Sequence, residues 1–156
     1  MIVILGILAS VAIPRLAATR EDAEISTTIA NLRALISEVS SYYVGHGTFD
    51  AAVTWNDVTN VPLKDNGDLP ATTQLVTESG SKPVALYIGG DMCIQVALSN
   101  GVASLNIPAY ITFTPDTKNK DKGVCKEVLA AEPIRAFTQS TLRFRNANYP
   151  GKMAID

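Results

Sequence analysis

The 156-residue sequence is poor in the side chains that most often carry chemistry. It has one histidine and two cysteines, whereas a structural zinc site needs about four such ligands. It contains no P-loop, no dinucleotide-binding glycine fingerprint, no GxSxG nucleophile motif and no HExxH zinc motif. We therefore expect neither an enzyme nor a resident cofactor.

Charge is also scarce. Charged residues make up 18 % of the chain, and the net charge at pH 7 is −2. Because nucleic-acid-binding proteins usually carry a strong basic excess, this composition argues against a nucleic-acid partner. Hydrophobic residues make up 47 %, which is ample for one core, and the length predicts a single domain.

The first thirteen residues, MIVILGILASVAI, carry no charge. As a helix this run would reach only about 20 Å, which is shorter than the ~30 Å hydrocarbon core of a bilayer. It also lacks the basic region that opens a secretory signal. Composition alone leaves two interpretations open, a buried core helix and a poorly trimmed signal peptide.

The residues that follow predict an amphipathic helix. No glycine or proline occurs between Arg15 and Tyr43, and Gly45-His46-Gly47 predicts a helix end. We therefore expect one helix from Met1 to about Tyr43, which Pro14 kinks or locally melts. Apolar residues spaced alternately by four and three positions form a seam along one face of this helix: Ile25, Ile29, Leu32, Ile36, Val39 and Tyr43. Leu35 and Tyr42 widen the seam.

The stretch Ile4–Leu16, ILGILA-x-x-AIP-x-L, and the charged amphipathic half after it closely resemble the N-terminal helix of type IV pilins and of type II secretion pseudopilins. The resemblance implies a pilin-like α+β fold. In that fold a long N-terminal helix packs on an antiparallel β-sheet, and a disulfide closes the C-terminal segment. The chain would divide into an apolar membrane and filament-core helix (1–14), the amphipathic half of the same helix (15–44) and a globular head (45–156).

The same resemblance implies a structural subunit of a pilus or pseudopilus. Such a subunit is anchored in the bacterial inner membrane with a periplasmic head, and then polymerises with copies of itself into a helical filament, an extracellular pilus or a periplasmic pseudopilus. Its further partners would be an assembly platform and, for the full precursor, prepilin peptidase. The residues expected to pack in the membrane and the filament are Ile4, Leu5, Gly6, Ile7, Leu8, Ala9, Ala12, Ile13 and Pro14.

The sequence departs from the family pattern at its start. Family precursors carry a short basic leader ending in Gly, then Phe and a nearby Glu, none of which occurs before Ile4. Aligned on Pro14, a family member would begin about eight residues earlier, which would extend the apolar run to the ~20 residues needed to span a bilayer. We therefore assign no cleavage or docking residue. The alternative interpretation is a secreted or periplasmic binding domain with an uncleaved or misassigned signal segment.

The rest of the chain predicts an antiparallel sheet. We expect a long connecting loop over Thr48–Ser81, with a helical turn capped by Thr54, and a hairpin turn at Ser99-Asn100-Gly101. A short helix is predicted over Val124–Ala131. The predicted strands are Val84–Ile88, Met92–Leu98, Val102–Ile107, Tyr110–Thr114 and Thr141–Phe144.

Two cysteines fall in this sheet-rich part. On their own, Cys93 and Cys125 are compatible with two unrelated buried thiols or with one disulfide. The resemblance implies an oxidising, extracytoplasmic location, and that location favours the disulfide.

Two loops carry oxygen-bearing side chains, Lys64–Asp68 and Asp116–Asp121. Since major pseudopilins bind calcium in a C-terminal loop, the resemblance raises calcium as a candidate ligand. Lys118, Lys120 and Lys122 would repel a cation, however, and the EF-hand spacing is absent. We expect solvated turns at both loops and no metal site. For His46, which stands alone between two glycines, we expect a helix cap or an exposed loop.

Charge is unevenly distributed along the chain. Residues 45–117 have a net charge of −5 and residues 118–152 a net charge of +5. Ordinary solvated loops would explain this distribution. Head-to-tail complementarity between neighbouring subunits is the other explanation, because a heterologous contact of that kind builds an open filament.

Overall fold

The computed structural model describes residues 2–65, 73–76, 82–101 and 107–144, with residues 2–18 as helix backbone only. The fold is α+β, as predicted. Its elements are α1 (Ile2–His46), α2 (Trp55–Val58), β1 (Leu63–Lys64), β2 (Val84–Ile88), β3 (Asp91–Ser99), β4 (Tyr110–Pro115), α3 (Gly123–Ala130), α4 (Glu132–Thr138) and β5 (Thr141–Arg143).

Helix α1 is a single element of 45 residues, which corresponds to about 67 Å of helix. Its backbone is helical on both sides of Pro14, so the expectation that this proline melts the helix is wrong. The predicted C-terminal stop is confirmed. Gly47 adopts φ +74° and its N–H donates to Tyr43 O at 2.7 Å, a left-handed ending that glycine accommodates at low cost.

The five strands form one antiparallel sheet in sequence order, β1-β2-β3-β4-β5. Strands β2, β3 and β4 match the predicted ones within two residues at each end. Ile94, Val96 and Leu98 are fully buried, whereas Gln95 and Ala97 between them are partly exposed. This alternation is what a sheet with one covered face requires.

Strand β3 contains a β-bulge at Cys93. Leu86 pairs with Ile94 and Tyr87 with Met92, so Cys93 has no partner in β2. A bulge of this kind changes the direction in which the following side chains point. Met92 would otherwise continue the buried series of Ile94, but Cys93 is the fully buried residue here and Met92 is partly exposed.

The hairpin turn predicted at Ser99–Gly101 stays a prediction. Among the described strands, the neighbours of β3 are β2 and β4, and Ser99 pairs with Tyr110. The strand predicted at Val102–Ile107 lies, apart from Ile107, outside the described residues. Gly101 has positive φ (+73°), and a Cβ atom there would lie 2.2 Å from Ile107 O, so glycine is needed there for a close backbone approach.

The C-terminal part contains one element more than predicted. The helix expected over Val124–Ala131 is α3, and α4 follows it after the single residue Ala131. Pro133 stands in the first turn of α4, where a missing N–H costs nothing. Both helices pack between α1 and the sheet-forming part of the head. Within the predicted loop Thr48–Ser81, α2 is the expected turn after Thr54, and β1 was not predicted.

One continuous core joins α1, the sheet and the short helices. An aromatic cluster closes the end near the C-terminus of α1, where the rings of Tyr43 and Phe49 are 5.1 Å apart and both lie 5.3 Å from that of Phe144. The 0 % exposure of Trp55 places the short helix α2 against the same core.

Candidate functional site

Helix α1 presents one face to the head from Ile25 onwards. Of the six predicted seam residues, Leu32, Val39 and Tyr43 are buried, and the other three, Ile25, Ile29 and Ile36, are partly buried and pack against the core. Leu35, predicted at the margin of the stripe, is fully buried.

Sequence reasoning missed one residue of this face. Thr28 is 2 % exposed, and its Oγ1 donates to Glu24 O at 2.7 Å. That bond to the preceding turn satisfies the buried hydroxyl. Its spacing of four residues from Leu32 was the available signal, and its polarity concealed it.

The side chains expected to pack in membrane and filament, Ile4 to Pro14, lie outside the described side chains, and the backbone there is helical. Just after them, residues 19–23 are exposed on all sides of α1.

In the part of the chain that the structure describes, no helix is sufficiently long and apolar to cross a bilayer.

A groove of about 620 Å³ runs along the exposed side of α1, beside α4. Val44 at its margin is 79 % exposed, the highest value among the large hydrophobic residues described. The hydroxyl oxygen of Ser40 is buried beside the groove and has no hydrogen-bond partner among the described residues. The groove is lined by Arg33, Ile36, Ser37, Ser40, Ser41, Val44 and Phe137. It is mainly apolar with one positive charge, and no sequence pattern drew attention to it because α4 was not predicted.

The disulfide is confirmed. Cys93 in the β3 bulge is bonded to Cys125 in α3, with the two Cα atoms 5.2 Å apart. Both residues are fully buried. The bond therefore attaches the α3–α4 segment to the sheet from inside the core.

The loop between β4 and α3 is organised by a buried carboxylate. Asp116 is 2 % exposed. Its Oδ2 accepts the N–H groups of Lys118 and Asn119, each at 3.0 Å, and its Oδ1 accepts Gln95 Nε2 at 3.2 Å. Both oxygens of this former calcium candidate are thus occupied by protein donors.

The other loop considered for calcium, Lys64–Asp68, has only part of its residues described. Asp65 Oδ2 accepts the hydroxyl of Thr73, and residues 66–68 lie outside the described residues. Among the residues described, no cluster of three or more acidic, histidine or cysteine side chains is arranged to hold a metal ion.

His46 lies at the C-terminal end of α1. Its Nδ1 donates to Tyr42 O at 2.9 Å, and its ring stacks on that of Tyr42 with centroids 4.1 Å apart. The imidazole therefore adds a side-chain contact to the last turn of the helix.

Side chains from two distant parts of the chain hold the connection after α1. Asn100 Oδ1 accepts Phe49 N–H at 2.7 Å, and Asn100 Nδ2 donates to Phe49 O at 2.8 Å. Glu38 Oε2 accepts Thr59 Oγ1 at 2.5 Å and Asn60 N–H at 3.2 Å. Sequence reasoning treated Asn100 as a turn residue and assigned no contact to Glu38, since neither long-range partner is visible in local spacing.

Helix α2 begins with a carboxylate contact. Asp57 Oδ2 accepts the backbone N–H of Thr54 at 2.9 Å and its Oγ1–H at 2.7 Å. The hydrogen bond from the Thr54 hydroxyl, followed by that from the backbone, holds the pKa of Asp57 below its ordinary value of 3.8.

Comparison of the chain with protein-family models, curated proteins and solved structures gives no match. Any functional assignment therefore depends on the residues and the geometry described above.

Proposed function

We propose that the protein is a structural subunit of a type IV pilin-like filament, a pilus or a pseudopilus. In this proposal it is membrane-anchored before assembly and polymerises with copies of itself through its N-terminal helix. The observation that carries the proposal is that α1 continues from Ile25, the first described α1 residue that packs on the core, back to Ile2 through a stretch whose sequence is apolar over Met1–Ile13.

The first described α1 residue that packs against the core is Ile25. From Ile2 to Ile25 the helix covers about 34 Å, and residues 19–23 of that stretch are exposed. Residues 19–23 bury no side chain in the head, and because most of the stability of a helix in a protein comes from packing of its apolar face, this part of α1 gains little from the head.

The sequence indicates another source of stability for α1. Met1–Ile13 has no polar face, and a helix that is apolar all round belongs in lipid or among other proteins. Gly6, Ala9 and Ser10 are small and would allow neighbouring helices to approach closely, which matters where helix association brings little hydrophobic gain.

Two features of the head support the proposal. A buried disulfide suits an oxidising compartment outside the cytoplasm. The arrangement of one long helix, one antiparallel sheet and a disulfide-closed C-terminal segment is also what the resemblance of Ile4–Leu16 implies.

The test introduces a charge into the apolar helix. In cells that express only the Ala9→Asp variant, we expect no filaments by electron microscopy, because a carboxylate costs about 2.5–3.5 kcal/mol in hydrocarbon. We expect its head to fold, with Cys93 joined to Cys125 in non-reducing mass mapping. Ala136→Asp, an equal change on the exposed part of α4, is the control and should leave filaments intact. Normal filaments built from Ala9→Asp subunits would refute the proposal.

A further inference from the structure

The dipeptide Asn100-Gly101 follows β3 and places a nucleophile next to an electrophile. The backbone nitrogen of Gly101 can attack Cγ of the Asn100 side chain, and glycine hinders this attack least because it has no Cβ. The N–Cγ bond forms, the Cγ–Nδ2 bond breaks, and ammonia leaves with the proton that the Gly101 amide gives up. Water then opens the cyclic imide to aspartate or isoaspartate. The dipeptide therefore has the chemistry of a spontaneous deamidation site.

In the fold, hydrogen bonds engage both reacting groups. Asn100 Oδ1 accepts the Phe49 N–H at 2.7 Å and the Thr48 hydroxyl at 3.1 Å, and Asn100 Nδ2 donates to Phe49 O at 2.8 Å. The Gly101 N–H donates to Ser99 Oγ at 3.1 Å. Ring closure makes Cγ tetrahedral and moves Oδ1 and Nδ2 out of the plane in which they meet Phe49, so this contact opposes the reaction.

The two sides of the contact differ in burial. Phe49 is 2 % exposed, and its ring lies 5.1 Å from that of Tyr43 and 5.3 Å from that of Phe144. Asn100 is exposed, so the water that the reaction consumes has access to it. Whichever side moves, opening leaves the N–H and O of Phe49 without these partners, and the open state is therefore a minor one.

We propose that Asn100 is a deamidation site which its contact with Phe49 holds in check, so that conversion takes place from the open state of the connection after α1. Both products have a carboxylate in place of the amide. A carboxylate has no hydrogen to donate to Phe49 O, and the ammonia is lost to solvent. Each conversion therefore leaves the connection permanently without one of its hydrogen bonds.

Peptide mapping of the full chain in detergent measures the conversion by mass spectrometry, at mildly alkaline pH, where the Gly101 amide loses its proton more readily. Folded wild type should convert Asn100 at least about tenfold more slowly than the chain unfolded in urea, since opening breaks three hydrogen bonds. Asn66-Gly67 is the same dipeptide and calibrates the rate in urea. Equal rates for Asn100 in the folded and the unfolded chain would overturn the proposal.

A change at Thr48 tests the contact without disturbing the core, because Thr48 is exposed. Thr48→Val removes one of the three hydrogen bonds and should raise the conversion rate of the folded chain about threefold. Thr48→Ser keeps a hydroxyl and should convert at the wild-type rate. A slower conversion in Thr48→Val would show that the donors on Oδ1 stabilise the charge that develops there. That result, or an unchanged rate, would overturn the proposal.

A second pair of variants tests whether the opening is local. Phe49→Leu leaves a gap in the aromatic cluster that anchors the contact, and should raise the rate in the folded chain about fivefold. Phe113→Leu shortens an equally buried side chain in β4 and should leave the rate at Asn100 unchanged. Equal acceleration by both changes would mean that conversion follows unfolding of the whole head, and would overturn the role of the connection after α1.

Discussion

Two segments cover the core of the head, and they are attached in different ways. The connection after α1, residues 48–65, is held by separate hydrogen bonds. Asn100 accepts from and donates to the backbone of Phe49, Thr59 and Asn60 donate to Glu38, and Thr54 donates to Asp57 within the segment. The segment 116–144 is held by a covalent bond inside the core and by the buried carboxylate of Asp116.

The difference shows where each segment can be broken. The first segment is stabilised by several hydrogen bonds, each of which contributes modestly to the free energy of unfolding. Loss of one bond therefore leaves the others in place. In the second, one bond closes a 32-residue separation, and the short helices α3 and α4 have only a few core residues of their own. We therefore expect the effects of mutation to be concentrated in the second segment and graded in the first.

The largest expected effect is loss of the disulfide. Replacing both Cys93 and Cys125 by Ala should lower the free energy of unfolding by about 3–4 kcal/mol, because the unfolded chain is no longer constrained over that loop. Urea unfolding of the head measures the change. A reducing agent should shift the wild-type midpoint towards that of the variant and leave the variant unchanged. Equal urea midpoints for wild type and variant under oxidising conditions would show that the disulfide does not stabilise the head.

An intermediate effect is expected in the first segment. Asn100→Ala removes the partners of Phe49 N–H and O, and should lower the free energy of unfolding by about 1–3 kcal/mol, the cost of leaving such groups without partners. Asn60→Ala is the matched control, since Asn60 is exposed and contributes its backbone N–H to Glu38. If the two alanine variants lose equal stability, the asparagine side chain does not hold this segment.

The smallest effect should depend on pH. Because the folded-state pKa of Asp57 is lowered by its bonds to Thr54, its carboxylate stabilises the fold above about pH 4 and loses this contribution as pH falls through the lowered value. Asp57→Asn should therefore lower the urea midpoint slightly at pH 7, and the difference from wild type should shrink at pH 3. Glu127→Gln, on the exposed side of α3, controls for loss of a surface carboxylate. A difference that is the same at both pH values would contradict the proposed contact.

The parts that could be predicted are those in which local periodicity and tertiary packing agree. The seam of α1 and the alternation of Ile94, Val96 and Leu98 both follow from a helix and a sheet that each cover one apolar face. The end of α1 at Gly47 follows from the same local chemistry, since glycine accepts a positive φ.

The remaining features depend on partners far away in the sequence. Asn100-Gly101 has the local signature of a turn, and that signature does not reveal that the asparagine bonds to Phe49 or that the backbone of Ile107 lies close to the glycine. Helix α4 is short and contains a proline, so its periodicity was too weak to detect. The groove beside it exists because α4 packs near α1. The sequence pattern of one segment cannot predict such a contact between two segments.

The strand lengths of the sheet have a consequence for crowding. Among the described strands, the central β3 has nine residues, whereas β1 and β5 at the two edges have two and three. A sheet that tapers in this way offers few free amide and carbonyl groups at its margins, so another polypeptide finds little template for adding a strand. Heads held at high local density would therefore meet through side chains, which can discriminate between partners, rather than through backbone pairing, which accepts almost any sequence.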